Sequence, residues 1–365
     1  MSADPQPPLV SLADYEHAAA EVLHPGALAY YAGGAGDEIT MRDNVAAWRR
    51  IAIEPRMLVG VKDRDHSVTV LGRRRPHPLI TAPMAFQRLA HPEGEIATAR
   101  GVARAGGVMC LSTLGTTSSP ALARGAPRCN RWFQLYVFSD RGVSRELVAQ
   151  AVDHGYEALI VTVDLPVLGV RERELRSGVH SATADAVASA AAAGASGAMT
   201  PADFAALIDP DLTWSDIERF AAESPLPVLV KGVLTAHDAR LAAEHGARGV
   251  IVSNHGGRQL DTTIASADAL PAIAEAVGER LDVLVDGGIR RGTDVLKALA
   301  LGARAILVGR PVLWGLALDG AAGVTRVLEL LLTEFDTALA LAGAPRAAEL
   351  DRGWVTPARW AEQLK

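Results

Sequence analysis

A histidine and an arginine stand close together in residues 253–261 (SNHGGRQLD), at the end of an apolar run. His255 titrates near neutral pH and can accept a proton, and Arg258, just beyond two glycines, can hold a carboxylate bidentately. A base and an anion clamp in one turn predict chemistry on a small acid, whereas a solitary histidine is more often structural. Lys231, in the preceding apolar run, adds a positive charge that could stabilise an anion formed during turnover.

Two later runs predict a phosphate site. Residues 286–292 (DGGIRRG) and 309–311 (GRP) each combine glycine with arginine. Glycines let backbone N–H groups approach an anion, helix N-termini favour negative charge, and the guanidinium of Arg290 or Arg310 can clamp phosphate oxygens. The alternative is a pair of tight turns followed by surface arginines. Two such runs at matching positions favour the anion site.

Eight short apolar runs would position these residues. The runs are continuous rather than alternating, which is typical of parallel strands buried on both faces. They are residues 78–85, 107–113, 131–137, 158–164, 227–233, 249–255, 282–288 and 305–311. Helix patterns that end at glycines separate them, so we predict an α/β fold, a (β/α)8 TIM barrel with its active site at the carboxyl ends of the strands. A doubly wound sheet is the weaker alternative, because no dinucleotide fingerprint follows the first strand.

The remaining segments are expected to complete one domain over residues 1–365. Residues 1–77 predict an N-terminal helical and β cap, residues 78–311 the barrel core, and residues 312–365 C-terminal helices. Residues 173–212, the long loop after strand 4, are rich in Ala, Ser and Gly and longer than an ordinary loop. We interpret them as a lid, with a disordered insertion as the alternative.

Composition excludes several classes of function. The chain has 36 Lys and Arg against 42 Asp and Glu, a formal net charge of −6, so nucleic-acid binding has no electrostatic support. Cys110 and Cys129 form no CxxC motif, which argues against a disulfide scaffold and a structural zinc site, and we expect no metal. No signal-peptide pattern and no sufficiently apolar stretch is seen, so we expect a cytoplasmic protein without membrane association.

Several runs, in this order, resemble the FMN-dependent 2-hydroxy-acid oxidase and dehydrogenase family, which includes glycolate oxidase, lactate oxidase and mandelate dehydrogenase. Besides the runs already described, the resemblance extends over residues 30–38 (YYAGGAGDE), 82–95 (APMAFQRLAHPEGE), 133–137 (FQLYV), 162–174 (TVDLPVLGVRERE) and 229–233 (LVKGV). It therefore covers most of the chain and implies FMN as the cofactor.

The resemblance implies a role for each matching residue. His255 would be the active-site base, Asp164 would stabilise its protonated form, and Tyr136 would hydrogen-bond the substrate hydroxyl. Lys231 would lie near the flavin. The substrate carboxylate would be bound by Tyr30, Arg171 and Arg258. Flavin and ribityl contacts would come from Pro83, Met84, Ala85, Ser112, Gln134, Thr162 and Ser253, and the phosphate would lie on Asp286, Gly287, Gly288, Arg290, Gly309 and Arg310.

The implied reaction is oxidation of an (S)-2-hydroxy acid to the 2-oxo acid, with O2 reduced to hydrogen peroxide. Three alternatives stay open: a dehydrogenase with a quinone or cytochrome acceptor, a lactate 2-monooxygenase, and a catalytically silent flavin-binding barrel. The resemblance also implies a homotetramer or octamer. Leu114, Phe86 and Val170 depart from relatives and predict a more aliphatic pocket wall. We expect lactate-like acids first and glycolate or mandelate-type acids second.

Overall fold

Eight parallel strands form a closed barrel in the computed structural model, which describes residues 8–178 and 201–358. The strands are β4 (Leu79–Met84), β5 (Val108–Leu111), β6 (Asn130–Leu135), β7 (Leu159–Thr162), β8 (Val228–Val233), β9 (Gly249–Val252), β10 (Asp282–Val285) and β11 (Ala305–Val308). They pair in chain order, and β11 closes on β4. Seven lie within one of the eight predicted runs, and β6 begins one residue before its run, so the predicted TIM barrel is confirmed. Most runs extend beyond their strands because their polar ends, such as His255, belong to the loops.

Helices surround the barrel. They are α4 (Gly94–Ala105), α5 (Ser119–Gly125), α6 (Arg141–Asp153), α7 (Glu172–Ser177), α8 (Pro201–Ala205), α9 (Trp214–Glu223), α10 (Ala236–Glu244), α11 (Ser266–Val277), α12 (Gly292–Ala300) and α13 (Arg310–Ala342). The long α13 is broken by non-helical backbone at Asp319 and Gly320. Within the described ranges, none of the helices is long and apolar enough to cross a membrane.

The N-terminal segment supplies helices to the mouth of the barrel. It contains α1 (Leu12–Val22), α2 (Pro25–Ala32), α3 (Ile39–Arg49) and the short strands β1 (Ile51–Ile53), β2 (Val68–Val70) and β3 (Arg73–Arg75). Strands β2 and β3, by contrast, lie near the amino ends of β7 and β10. The buried Asn44 of α3 exchanges two side-chain hydrogen bonds of 2.8 Å with Asn254, just after β9. Trp48 of the same helix donates its indole N–H to the carbonyl of Gly287, just after β10, at 2.9 Å. Helix α3 thus fixes two of the loops that carry predicted site residues.

The C-terminal segment is not wholly helical. After α13 and two single 3-10 turns, the chain forms strand β12 (Val355–Pro357), which pairs antiparallel with β1. The prediction of helices alone for this segment is therefore wrong. Both strands have three residues, which is too short to show a period of two in the sequence.

The predicted lid falls partly outside the described residues, since it includes residues 179–200. On either side of that gap the chain forms α7 and α8. Phe204 of α8 packs edge-on against Phe138, with ring centroids 5.6 Å apart. The interpretation of residues 173–212 as a lid stays a prediction.

Candidate active site

One cavity opens at the carboxyl ends of the barrel strands, where the sequence predicts the site. It is lined by most of the predicted site residues, namely Tyr30, Pro83, Met84, Ala85, Ser112, Tyr136, Thr162, Arg171, Lys231, His255, Arg258, Asp286, Gly287, Gly288, Arg290, Gly309 and Arg310. The other three predicted residues lie behind this lining and hydrogen-bond to it. Gln134 accepts from Ser112 at 3.1 Å, Ser253 accepts from Lys231 at 2.9 Å, and Asp164 contacts His255.

His255 is held between a carboxylate and a phenol. Its Nδ1 lies 2.8 Å from Oδ1 of Asp164, and its Nε2 lies 3.3 Å from the hydroxyl of Tyr136. The backbone of His255 has a left-handed φ of 59°, and its N–H donates to Oγ of Ser253 at 3.1 Å. Since the carboxylate accepts from Nδ1–H, Nε2 is the nitrogen available to accept a proton at the cavity.

The charges around His255 favour a neutral base beside an ionised acid. Burial lowers the pKa of His255 below its ordinary value, although Asp164 raises it, and Lys231 lowers it further. Burial raises the pKa of Asp164, but His255 and Lys231 outweigh that effect, so the carboxyl titrates below its usual range. A neutral imidazole can take up a proton, and the adjacent carboxylate then stabilises the cation.

Lys231 brings a buried positive charge to the floor of the cavity. Its Nζ lies 3.5 Å from Oδ2 of Asp286. Burial lowers the pKa of Lys231, but Asp286 and Asp164 outweigh that effect and hold it above its ordinary value. Lys231 is therefore a cation throughout the physiological pH range.

Two arginines, Arg171 and Arg258, also line the cavity. Arg171 donates from Nε to the carbonyl of Arg258 at 3.0 Å and from Nη2 to Oε1 of Gln259 at 3.0 Å. Arg258 donates from Nη1 to the carbonyls of Tyr30, at 2.5 Å, and Gly33, at 2.9 Å. These contacts hold two guanidinium groups at one end of the cavity, an arrangement suited to binding a carboxylate.

Gln259 and Asn44 are positioning residues that the sequence analysis did not identify. Besides accepting from Arg171, Gln259 donates from Nε2 to the carbonyl of Asp164 at 3.0 Å, so it joins the arginine to the loop of the acid. The sequence did contain a signal for Gln259, because this residue directly follows Arg258 in the run SNHGGRQLD. Asn44 contacts the loop after β9 through Asn254 and lies against the loop after β10 at Gly288, and nothing in its local sequence indicates this.

Several buried polar atoms at the strand ends have no hydrogen-bonding partner among the described residues. They include Nε2 of Gln134, Oγ1 of Thr162 and Oδ1 of Asp286, which follow or belong to β6, β7 and β10. Buried polar groups are normally satisfied, so these atoms indicate a bound group. A donor, a hydroxyl and a carboxylate together suit a heterocycle that carries both carbonyl and N–H groups.

The end of the cavity near β10 and β11 suits an anion. Gly287 and Gly288 have left-handed φ values of 94° and 77°. In this backbone conformation, successive N–H groups can point toward a bound anion. The nearby Arg290 is partly buried, and desolvation lowers its pKa although Glu16 and Asp294 oppose the effect. A partly buried cation whose side chain makes one hydrogen bond, to the neighbouring carbonyl of Ile289, gains from an anionic ligand.

Arg310 differs from the simple expectation of a guanidinium clamp. Its three side-chain nitrogens donate to the backbone carbonyls of Tyr31, at 2.9 Å, Gly256, at 3.0 Å, and Gly33, at 2.9 Å. The side chain therefore ties α2 to the loop that carries His255. What Arg310 also offers an anion is its backbone N–H, which begins α13 and has no intrahelical acceptor.

The chain is similar in sequence and in structure to known proteins. The family described as FMN-dependent dehydrogenase matches residues 19–357. The chain belongs to the FMN-dependent dehydrogenase family. The resemblance predicted from the sequence is thereby confirmed, and FMN is the cofactor. The partnerless atoms of Gln134, Thr162 and Asp286 fit its ring system, and the glycines beside Arg290 fit its phosphate.

Individual relatives are similar over nearly their whole length. The L-lactate oxidase of Nostoc sp. is 48% identical over 95% of this chain and 98% of its own. The human 2-hydroxyacid oxidase 1 is 43% identical over 95% of this chain and 96% of its own. A solved structure of mandelate oxidase with (S)-4-hydroxymandelic acid has a TM-score of 0.89 and 42% identity, and covers 95% of this chain and 98% of that one.

The apolar wall of the cavity differs in part from the prediction. Leu114 and Phe86 line the cavity, as expected from their departures from relatives. Val170 does not line it and is 64% exposed, so its predicted contribution to the wall is wrong. Arg171 lines the cavity, whereas the side chain of Val170, one position earlier, faces solvent. The wall also contains Leu165, Leu168, Phe204 and Ile208, which the sequence analysis did not name.

Proposed function

We propose that this protein oxidises an (S)-2-hydroxy acid with a short aliphatic side chain to the 2-oxo acid, with O2 as the final acceptor and hydrogen peroxide as the product. One observation carries the proposal. Nε2 of His255 and the hydroxyl of Tyr136, 3.3 Å apart, line the same cavity as the guanidinium groups of Arg171 and Arg258. A proton acceptor, a hydroxyl partner and a carboxylate clamp are the groups that such an acid requires.

The arginines bind and orient the substrate in this proposal. Arg171 and Arg258 take the carboxylate, and Tyr30, whose ring lies 4.8 Å below the guanidinium carbon of Arg258, adds its hydroxyl. Holding the carboxylate at one end fixes the α-carbon and its hydroxyl near His255 and Tyr136. Such positioning supplies much of the rate enhancement in reactions of bound substrates.

His255 moves the proton. Two electrons and two protons leave the substrate as the hydroxyl becomes a carbonyl, and Nε2 of His255 takes one of the protons. Asp164 stabilises the resulting imidazolium through its hydrogen bond of 2.8 Å. Tyr136, whose pKa is raised by burial, stays a neutral phenol and hydrogen-bonds the substrate hydroxyl. When bound, FMN would supply the acceptor for the two electrons and for the second proton, and the two electrons and both protons would leave with O2 as hydrogen peroxide.

The predicted cofactor residues would hold FMN along the cavity. Lys231 would place its buried charge beside the ring system. The ring and ribityl chain would contact Pro83, Met84, Ala85, Ser112, Gln134, Thr162 and Ser253, and the phosphate would lie against Gly287, Gly288, Arg290, Gly309 and Arg310. Asp286, which the sequence analysis assigned to the phosphate, would instead face the ring system beside Lys231, because a carboxylate repels a phosphate. The buried partnerless atoms among these residues support this assignment.

The choice of a lactate-like acid is supported by the apolar wall and by one relative. Leu114, Leu165 and Leu168 line the cavity, and the Nostoc relative is named L-lactate oxidase. Glycolate and mandelate-type acids stand second. Hydrophobic walls discriminate by only about 1–3 kcal/mol per methylene, so a substrate panel has to decide among them.

A panel of (S)-2-hydroxy acids, measured twice on the purified holoenzyme, tests the proposal. Without air, lactate should bleach the flavin absorbance faster than glycolate or mandelate, and in air each turnover should yield one 2-oxo acid and one hydrogen peroxide. Bleaching without peroxide would favour a dehydrogenase, and acetate in place of pyruvate would favour a monooxygenase. No bleaching by any member would reject the proposal in favour of a silent flavin-binding barrel.

We also propose a cytoplasmic location and a homotetramer or homooctamer. The free, buried thiols of Cys110 and Cys129 are consistent with a reducing compartment. Light scattering after size-exclusion chromatography tests the oligomeric state, and a monomer would reject it.

A further inference from the structure

A buried carboxylate, that of Glu174 in α7, lies between the two arginines that face the proposed substrate. Its Oε2 is 3.5 Å from Nη1 of Arg171 and 4.0 Å from Nη2 of Arg258. The side chain is 10% exposed, and Oε2 has no hydrogen-bonding partner among the described residues. The carboxylate is thus close enough for charge attraction to both guanidinium groups without a hydrogen bond to either.

The geometry of the arginines explains why the nitrogens near Glu174 matter. Arg171 uses Nε and Nη2 for protein acceptors, and Arg258 uses Nη1 for two carbonyls of the N-terminal segment. Nη1 of Arg171 and Nη2 of Arg258 are other nitrogens, and both face Oε2 of Glu174. Neither takes part in those anchoring hydrogen bonds.

The charge of this group suits one additional carboxylate. We define the clamp as Arg171, Arg258 and Glu174, which carry two positive charges and one negative charge. A ligand with a single carboxylate brings the clamp to neutrality, and a dianion leaves it with a net negative charge. In a buried site, an uncompensated charge is costly because little water is present to solvate it.

We propose that Glu174 is a specificity-determining residue, which makes the clamp accept monocarboxylates and discriminate against dicarboxylates. This inference rests on the proposed function, since it takes the two arginines as the carboxylate site. Glu174 repels any bound anion, and the repulsion grows in proportion to the charge of the ligand. The two arginines alone, without Glu174, would favour a dianion.

Titration of the oxidised holoenzyme with acetate and with oxalate tests the inference, with dissociation constants read from the perturbed flavin absorbance. Glu174→Gln removes the charge and keeps the shape. We expect the dissociation constant to fall about tenfold for acetate and about a hundredfold for oxalate, because a doubled charge doubles the logarithm of the change. The KM of the best monocarboxylate substrate should fall together with the dissociation constant of acetate.

Glu172 provides a matched control on the same helix. Its side chain is 47% exposed and pairs with Arg176, outside the clamp. Glu172→Gln removes the same charge from α7, and we expect both dissociation constants to stay within about twofold of wild type, since solvent screens an exposed charge. Glu174→Asp, which keeps the charge, should leave both within about threefold. If Glu174→Gln does not retain FMN, Glu174→Ala takes its place with the same expected factors.

The outcomes separate the two levels of the argument. Equal changes for acetate and oxalate in Glu174→Gln, unchanged constants, or weaker binding of both would overturn the role of Glu174 while leaving the proposed function intact. A wild-type holoenzyme that binds neither anion and is not bleached by any 2-hydroxy acid would overturn the proposed function, and this inference with it.

Discussion

Nδ1 of His255 and Oδ1 of Asp164 lie 2.8 Å apart, although 91 positions separate the two residues in the chain. Asp164 follows β7 and His255 follows β9, and the parallel pairing of both strands with β8 brings the two side chains together. The pair sets both the tautomer and the charge of the base. Because the carboxylate accepts from Nδ1–H, Nε2 is left to accept a proton from the substrate.

Replacement of Asp164 by Asn should slow substrate oxidation without loss of FMN. We expect the anaerobic rate of flavin bleaching to fall about 100-fold or more, because the imidazolium formed in the reaction loses its carboxylate partner. The dissociation constant of acetate should change less than about threefold, since the arginines are untouched. An unaltered bleaching rate would show that Asp164 has no role in the reaction.

The same variant predicts a shift in the pH profile. His255 acts as a neutral base, so activity falls as the pH drops through its pKa, which burial places below the ordinary value of 6.5. Asp164 raises that pKa, and its removal should therefore move the acid limb of kcat/KM to lower pH. A shift to higher pH, measured between about pH 4 and 8, would contradict this assignment of the base.

Tyr136→Phe should reduce the rate of oxidation and leave the fold intact. The hydroxyl of Tyr136 lies 3.3 Å from Nε2 of His255 and lines the cavity, whereas the ring is buried against the barrel. Removal of the hydroxyl deletes the partner proposed for the substrate hydroxyl, and we expect kcat to fall about 10-fold to 100-fold. Thermal unfolding should stay within a few degrees of wild type. A change confined to KM would instead assign Tyr136 to uniform substrate binding.

Arg290→Met should weaken the binding of FMN. Arg290 lines the cavity, partly buried, beside the glycines that follow β10, and we expect the dissociation constant of FMN to rise about 10-fold to 100-fold on loss of a charge-assisted contact to the phosphate. Inorganic phosphate should raise the Tm of the wild-type apoprotein and not that of the variant. Arg291→Met is the control, since Arg291 is 57% exposed and pairs with Glu334. Equal FMN affinities in the two variants would remove Arg290 from the site.

The barrel and most of the site could be predicted because their signals are local. Strand β9 is continuously apolar, and the polar residues that follow it include His255 and Arg258, which line the cavity. The contact between Asn44 and Asn254 spans 210 positions and leaves no such local pattern. The side-chain direction of Arg310 could not be predicted from the sequence either, because its hydrogen-bond acceptors are backbone carbonyls of α2 and of the loop after β9. Sequence patterns indicate which residues lie at the barrel mouth, and packing between distant segments decides where each side chain points.

Gly288→Ala should loosen the N-terminal segment and the phosphate loop together. Gly288 has a φ of 77°, and a Cβ there would overlap the backbone carbonyl of Asn44 in α3. Backbone cannot move aside as a flexible side chain can, so either α3 or the loop after β10 must shift. The loop after β10 carries groups of the proposed cofactor site and α3 packs against that loop, so we expect lower stability together with weaker FMN binding.

Gly155→Ala separates this overlap from backbone strain alone. Gly155 also has a left-handed φ, of 70°, but the nearest atom to a Cβ there is 3.9 Å away. Gly155→Ala should lower the free energy of unfolding by about 1–2 kcal/mol and leave FMN affinity unchanged. Gly288→Ala should cost more than this and release FMN at lower denaturant concentration. Denaturant titrations followed by tryptophan and flavin fluorescence measure both quantities. Equal costs in the two variants would mean that α3 adapts to the added methyl group, and that its contact with Gly288 does not hold the phosphate loop.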